Sequence, residues 1–181
     1  VEAINPIDMP GFLINTPEHL DELLRAVDHP NLAAQYDLYH MARQGLDMAA
    51  GMRLLAGRIG HPHTTALALT YCAIASQLRW DARTTLGLAE QCIPLAREHR
   101  FLLWYLWPSA MRGWALAELG RPQEGLVQMR QVLEQWQRSG IIAGMHHNLG
   151  LLAHIHLRLG QAQEGLAAVD EALTWPAVTE E

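Results

Sequence analysis

Leu119-Gly120-Arg121-Pro122-Gln123-Glu124-Gly125-Leu126 returns forty residues later as Leu159-Gly160-Gln161-Ala162-Gln163-Glu164-Gly165-Leu166, with six of the eight positions identical. A fixed period of this size marks a solenoid built from one repeated supersecondary unit. A degenerate copy, Leu78-Arg79-Trp80-Asp81-Ala82-Arg83-Thr84-Thr85-Leu86, lies about forty residues upstream. Each copy reads as the corner of a helical hairpin. The pattern predicts a helix before each corner, over 64–78, 108–119 and 146–159, and one after it, over 84–98, 122–138 and 162–174. In the middle unit Leu126, Met129, Val132 and Trp136 recur at three- to four-residue spacing, one apolar stripe. Gly120 and Gly160 suit the left-handed conformation that ends a helix, and Pro122 suits the first turn of the next. Ser139-Gly140 and Trp175-Pro176 read as stops, and Pro94 should kink its helix by removing a hydrogen bond.

Working outward, the pattern Gly113-Trp114-Ala-Leu-Ala-Glu-Leu-Gly120, followed by Glu124-Gly125-Leu126 and a second helix, resembles a tetratricopeptide repeat of longer than usual period. It is similar to the repeats that follow the ATPase module in large bacterial regulators of the adenylate-cyclase and LuxR-associated type. That resemblance implies a non-catalytic module over residues 62–181, whose groove holds another protein or an adjacent domain. The run Phe101-Leu102-Leu103-Trp104-Tyr105-Leu106-Trp107 reads as the packed connection between the first two hairpins, with an exposed partner-binding patch as the alternative. His146, His147, His154 and His156 lack the three- or four-residue helical spacing of a metal pair and read as groove-facing positions, with a pH-sensitive contact as the alternative.

The first sixty residues follow a different pattern. Val1-Glu2-Ala3-Ile4-Asn5 and residues 32–37 read as short strands. Between them Thr16 can cap a helix that opens on Pro17 and buries Leu20, Leu23, Leu24 and Val27. Asp47 can cap another, with Met48, Met52, Leu55 and Ile59 on one side. Strand, helix, strand, helix is the unit of a parallel α/β fold, and carboxylates at such strand ends are where a (β/α)8 barrel keeps its active site. The expected fold class is therefore mainly α: tetratricopeptide-like hairpins of six helices, preceded by a βαβα fragment of a (β/α)8 barrel over residues 1–61.

Glu-Ala-Ile-Asn at 2–5, Pro-Gly-Phe at 10–12, Pro-Asn-Leu at 30–32 and Gln-Tyr-Asp-x-Tyr-His-Met at 35–41 resemble hydroxypyruvate isomerase and its sugar-isomerase relatives. In that family a divalent metal holds the substrate oxygens while two glutamates move a proton between adjacent carbons. The resemblance implies that Glu2 is a metal ligand and proton-transfer base, Asp37 a second ligand and His40 a substrate contact. Mg2+ or Mn2+ would be the ion of a complete site, since hard cations take oxygen ligands. The family's third ligand and second glutamate have no counterpart after Gly60-His61, where Pro62-His63-Thr64 opens the repeats. The segment is therefore expected to be inactive as it stands and to need no cofactor in this chain. The alternative is a fragment of a metal-dependent aldose-ketose type isomerase completed by another chain. The join at Gly60-Pro62 reads as a truncated fusion or an assembly artefact, with an engineered splice as the alternative, and the chain as starting inside a longer reading frame.

Composition bounds the rest. Half the residues are apolar, as in a globular chain, and the net charge of −6 argues against nucleic-acid or anionic-membrane partners. All thirteen basic residues are Arg, in keeping with a GC-rich bacterial gene. No apolar run reaches the ~18–20 residues of a membrane span. Cys72 and Cys92 read as buried free thiols, which places the protein in the cytoplasm.

Overall fold

A computed structural model of the chain describes residues 1–59 and 61–175, with backbone alone at 58 and 59. The chain divides into two compact units, Val1–Cys72 and Ala73–Glu181. Among the described residues there are nine helices: α1 Pro17–Val27, α2 Leu38–Arg43, α3 Met48–Ile59, α4 Pro62–Leu78, α5 Ala82–Glu98, α6 Leu102–Glu118, α7 Pro122–Ser139, α8 Met145–Arg158 and α9 Ala162–Thr174. No strand or sheet is present among them, which corrects the expected βαβα barrel fragment.

The two segments read as strands meet in a single parallel bridge between Glu2 and Gln35, with Gln35 N donating to Val1 O at 2.7 Å. Local side-chain bonds cut both short. Asn5 Oδ1 accepts from Asp8 N at 2.8 Å, which turns the first segment away after five residues. The second is cut by Asp37, whose carboxylate accepts from Tyr39 N at 2.7 Å and starts α2. A parallel ladder needs further strands and covered faces, and two short segments supply neither.

Helix caps in this unit follow the residues expected to make them. Thr16 Oγ1 accepts from His19 N at 3.2 Å ahead of Pro17. Asp47 Oδ1 accepts from Ala49 N and Ala50 N at 2.9 and 3.0 Å. The core is Ala3, Leu20, Leu24, Met41 and Leu55, flanked by Ile14, Leu32, Ala34, Tyr36, Leu46 and Met48. Gly51 is required where α3 passes Pro17 and Tyr36, because a Cβ there would come well inside 3.0 Å of both. The join expected at Gly60 lies outside the described residues.

In the second unit the forty-residue period is written in the backbone. Positive φ falls at Trp80, Gly120 and Gly160, and again at Arg100 and Gly140. At the first set of corners the same 6→1 hydrogen bond recurs: Asp81 N to Ser76 O, Arg121 N to Leu116 O and Gln161 N to His156 O, at 2.9–3.0 Å. The helix contacts repeat too. Gly125 of α7 lies against Gly113 O of α6, and Gly165 of α9 against Ala153 O of α8. α6 packs on α5, α7 and α8, so successive hairpins stack as well as close. Glu118 and Arg158, one period apart, form a two-pronged ion pair at 2.7 and 2.5 Å between α6 and α8.

α6 starts at Leu102, not near residue 108, so the aromatic run is the first part of that helix and not a connection. Pro108 sits inside it and leaves Trp104 O without its helical N–H donor. The Cys92 thiol of α5 points at that carbonyl, 3.5 Å away. A neighbouring helix thus brings a weak donor to the carbonyl that the proline cannot serve.

Candidate functional site

Glu2 is placed by its bridge to Gln35, and Asp37 and His40 by the first turn of α2. Together these put one ligand atom each of Glu2, Asp37 and His40 within 4.8 Å of one another, all three residues half-buried. The structure thus gathers all three residues singled out in the sequence. Asp37 already uses Oδ1 to cap α2.

His40 is oriented by a network the sequence reading did not identify. Asn5 is fully buried, and its Oδ1 is committed to Asp8 N at 2.8 Å. Its Nδ2 therefore faces outward as a donor, 3.2 Å from Asp8 Oδ2 and 2.8 Å from His40 Nδ1. A donor at Nδ1 leaves the ring proton on Nε2, so neutral His40 presents an N–H and not a lone pair on that side. That suits a hydrogen bond to an oxygen better than coordination of a metal. Asp8 ties the network to α2: its Oδ2 accepts from Tyr39 OH at 2.7 Å and its Oδ1 from Arg43 Nε at 3.1 Å. The bond from Tyr39 holds the Asp8 carboxyl below its usual range against the opposing effect of burial, with further help from Asn5 and Arg43. The signal for Asn5 and Tyr39 was present, since both lie inside the quoted Glu-Ala-Ile-Asn and Gln-Tyr-Asp-x-Tyr-His motifs. For Asp8 and Arg43 no spacing rule pointed the way.

The donor set fits a hard divalent cation in part. Two carboxylates suit Mg2+ or Mn2+, which often bind proteins through one or two carboxylates and complete their shell with water. Beside Glu2 lies an open hollow of about 550 Å³ walled by Val1, Ile4, Phe12, Leu13 and Ile14. The group contains one glutamate.

The four histidines of α8 are not equivalent groove positions. His156 is buried, with Nδ1 at 2.8 Å from Gln161 Oε1, while exposed His146 reaches Trp175 O at 3.2 Å. His147 is half-buried beside the Trp107 ring, and burial lowers its pKa. His154 Nδ1 lies 3.2 Å from Glu118 Oε1, an ion-pair distance without hydrogen-bond geometry. Burial lowers its pKa against the pull of Glu118. Cys72 and Cys92 are both free and buried; burial pushes the Cys72 thiol up to about 11.

Among the described residues no helix is long and apolar enough to cross a membrane. No family model matches the chain, and no solved structure matches it, so the tetratricopeptide resemblance stands on its quoted residues alone. Two curated proteins resemble about a third of the chain. The putative hydroxypyruvate isomerase of Xenopus laevis is 37% identical over 62 residues, covering 34% of this chain and 22% of that protein. The hydroxypyruvate isomerase of Escherichia coli (strain K12) is 38% identical over 61 residues, covering 34% of this chain and 24% of that protein. The chain thus spans about a quarter of the length of the curated relatives it matches, and its similarity to hydroxypyruvate isomerase is confined to a segment about sixty residues long.

Proposed function

We propose that the chain acts as a helical scaffold that binds another protein or an adjacent domain, and that its isomerase-like segment holds a divalent cation without catalysing isomerisation. The observation that carries the scaffold reading is the recurrence of one corner at Trp80, Gly120 and Gly160, with α6 packed on α5, α7 and α8. Stacked hairpins present a continuous surface made of several helices, the usual property of repeat proteins that bind other chains. Buried free thiols support a reducing, cytoplasmic setting. A peptide-display selection against the immobilised full chain tests this reading. Enrichment of peptides that bind saturably, and lose affinity when Gly125→Val disrupts the α6–α7 contact, is the expected result. Failure to enrich any such peptide would remove the scaffold reading.

A second reading is supported by the similarity to hydroxypyruvate isomerase and by the Glu2, Asp37 and His40 group. In it the chain is part of an enzyme whose remaining residues come from elsewhere. When bound, Mg2+ or Mn2+ would polarise the oxygens of a hydroxy-ketone; Glu2 would take the proton from the adjacent carbon, and the His40 N–H would hold an oxygen. Titration with Mn2+, followed by its electron paramagnetic resonance signal, should show weak binding that Glu2→Gln lowers. Incubation with hydroxypyruvate and Mn2+ separates the readings. Turnover that Glu2→Gln abolishes would favour the enzyme.

A further inference from the structure

The outer face of α9 is apolar and open where the matching faces of α5 and α7 are covered. By the forty-residue period, Leu126, Met129 and Leu133 of α7 correspond to Leu166, Val169 and Leu173 of α9. In α7, which packs on α6 and α8, Met129 and Leu133 are buried and Leu126 is half-buried. The same holds in α5, which packs on α6: Ala89 is buried, and Leu86 and Ile93 are half-buried. In α9, which packs on α8, the three residues are 65%, 40% and 79% exposed. They stand at i, i+3 and i+7, so they form one stripe. The last turn of α8 changes in the same sense. Leu157 is 64% exposed, whereas its counterpart Ala117 in α6 is buried. The first two hairpins are each followed by the first helix of another, α6 after α5 and α8 after α7; among the described residues no helix follows α9.

The helix that follows α7 shows what fits such a face. α8 buries Met145, Leu149 and Ile155 at helical spacing and contains no acidic residue; its basic groups are Arg158 and four histidines. α9 has the opposite sign, with Glu164, Asp170 and Glu171 and no basic residue. Asp170 is exposed and stands beside the stripe, four residues after Leu166 and three before Leu173. With Glu171 it lies near the carboxyl end of the helix, whose free carbonyls add to the negative field. Two copies meeting through this face would bring their Asp170 carboxylates together, since Asp170 lies midway along the stripe. A helix of 13 residues also offers less than the about 20–30 residues a side of a standard interface. Charge and size therefore favour a single basic helix over a second copy.

We propose that the outer face of α9, with Leu157 at its edge, docks an amphipathic helix of another protein, apolar at i, i+3 or i+4 and i+7, with an arginine or lysine beside that stripe to meet Asp170. The docked helix takes on α9 the place that α8 takes on α7. Recognition is then of the helix-on-apolar-face kind, with the leucines giving affinity and Asp170 setting the sign of the partner. The proposal rests on the scaffold reading and names the face and the chemistry of its partner.

Fluorescence polarisation with the full chain tests it, using a labelled peptide of leucine and lysine with its leucines at helical spacing. The comparison probes are the same residues scrambled and the same pattern with glutamate for lysine. Saturable binding of the patterned lysine peptide, weaker for both others, is expected. Leu166→Gln with Leu173→Gln should lower affinity at least about tenfold, the worth of burying one leucine. Asp170→Asn should lower it about twofold to threefold. Leu102→Gln, at an exposed leucine of α6, should leave it unchanged. All these side chains are exposed, so the fold should hold, and circular dichroism of each variant checks that. Equal affinity for the scrambled or the glutamate peptide, or an unchanged affinity in the double variant, would overturn the proposal. So would a dimer of the chain alone in sedimentation that the double variant dissolves, since a second copy would then cover the face. Display-selected peptides that bind the double variant as well as the parent chain would sink this face and leave the scaffold reading standing.

Discussion

Replacing Gly125 by Ala is the sharpest test of how the hairpins close. At most helix-interior positions this change stabilises, because Ala exceeds Gly in helix propensity by about 0.8–1.0 kcal/mol. Gly87 in α5 and Gly150 in α8 show that background: a Cβ at either position meets nothing within 4 Å. At Gly125 the new Cβ would fall well inside 3.0 Å of Gly113 O, and at 3.2 and 3.3 Å from Ala117 N and Cβ. The obstructing atoms are mostly backbone, so no side chain can swing aside, and α7 must move off α6. Overpacking of this kind costs about 1–3 kcal/mol. Against the propensity gain, Gly125→Ala should come out destabilised, by up to about 2 kcal/mol. Gly87→Ala and Gly150→Ala should gain up to about 1 kcal/mol. Gly165→Ala, whose Cβ would stand 3.2 Å from Ala153 O, should fall between them. Urea denaturation followed by circular dichroism gives all four values in one series. A Gly125→Ala protein as stable as Gly87→Ala would refute close packing of α6 on α7.

Three further outcomes follow from individual contacts. Asn5→Ala should remove the donor that holds His40 Nδ1, so nitrogen NMR should report a mixture of imidazole tautomers in place of a single Nε2–H form. His147 has a pKa depressed by burial, so the unfolded chain binds more protons than the folded one near that range; stability should be full above the usual 6.5 and fall as pH drops below it, and His147→Asn should flatten that part of a melting-temperature profile. Tyr36 OH donates to Met48 O at 2.9 Å and burial pushes its pKa up to about 12; Tyr36→Phe should cost about 1 kcal/mol in urea denaturation and remove that late titration from an absorbance scan.

The repeat was legible because two of its corners spell their conformation in residue type: Gly120 and Gly160 are glycine at positive φ. The first corner was harder to read for the opposite reason, since Trp80 holds the same conformation with φ of 59° and no glycine to announce it. The start of α6 was misplaced because Pro108 resembles a first-turn proline. It lies mid-helix instead, where the Cys92 thiol of another helix points at Trp104 O, a contact with no local signature. The strand readings failed on a different point. An apolar run of five residues fits a strand only if other strands come to pair with it, and that condition lies outside the run itself. The site fared better for Glu2, Asp37 and His40, whose motifs were visible, than for Asp8 and Arg43, which come to His40 only through the turn at Asn5.

Trp80 also shows how the stack is held. A non-glycine residue in the left-handed region costs about 1–2 kcal/mol, so something must offset it at this corner. The indole meets Trp114 edge-on at 5.7 Å and His154 at 4.8 Å, and such ring pairs contribute about 0.5–1.5 kcal/mol each. These contacts connect the first corner to α6 and α8, and Glu118 joins the same two helices through Arg158. The first helices of successive hairpins are therefore bound at one end by rings and charge. At the crossing of α6 with α7 the glycines bring backbone against backbone. Polar ties add to them away from the glycine crossing: Arg112 of α6 bonds Gln128 Oε1 of α7 and lies 3.5 Å from Glu90 of α5, and Gln128 Nε2 donates back to Ser109 O of α6, so α6 is held to both of its neighbours by side-chain bonds as well as by packing.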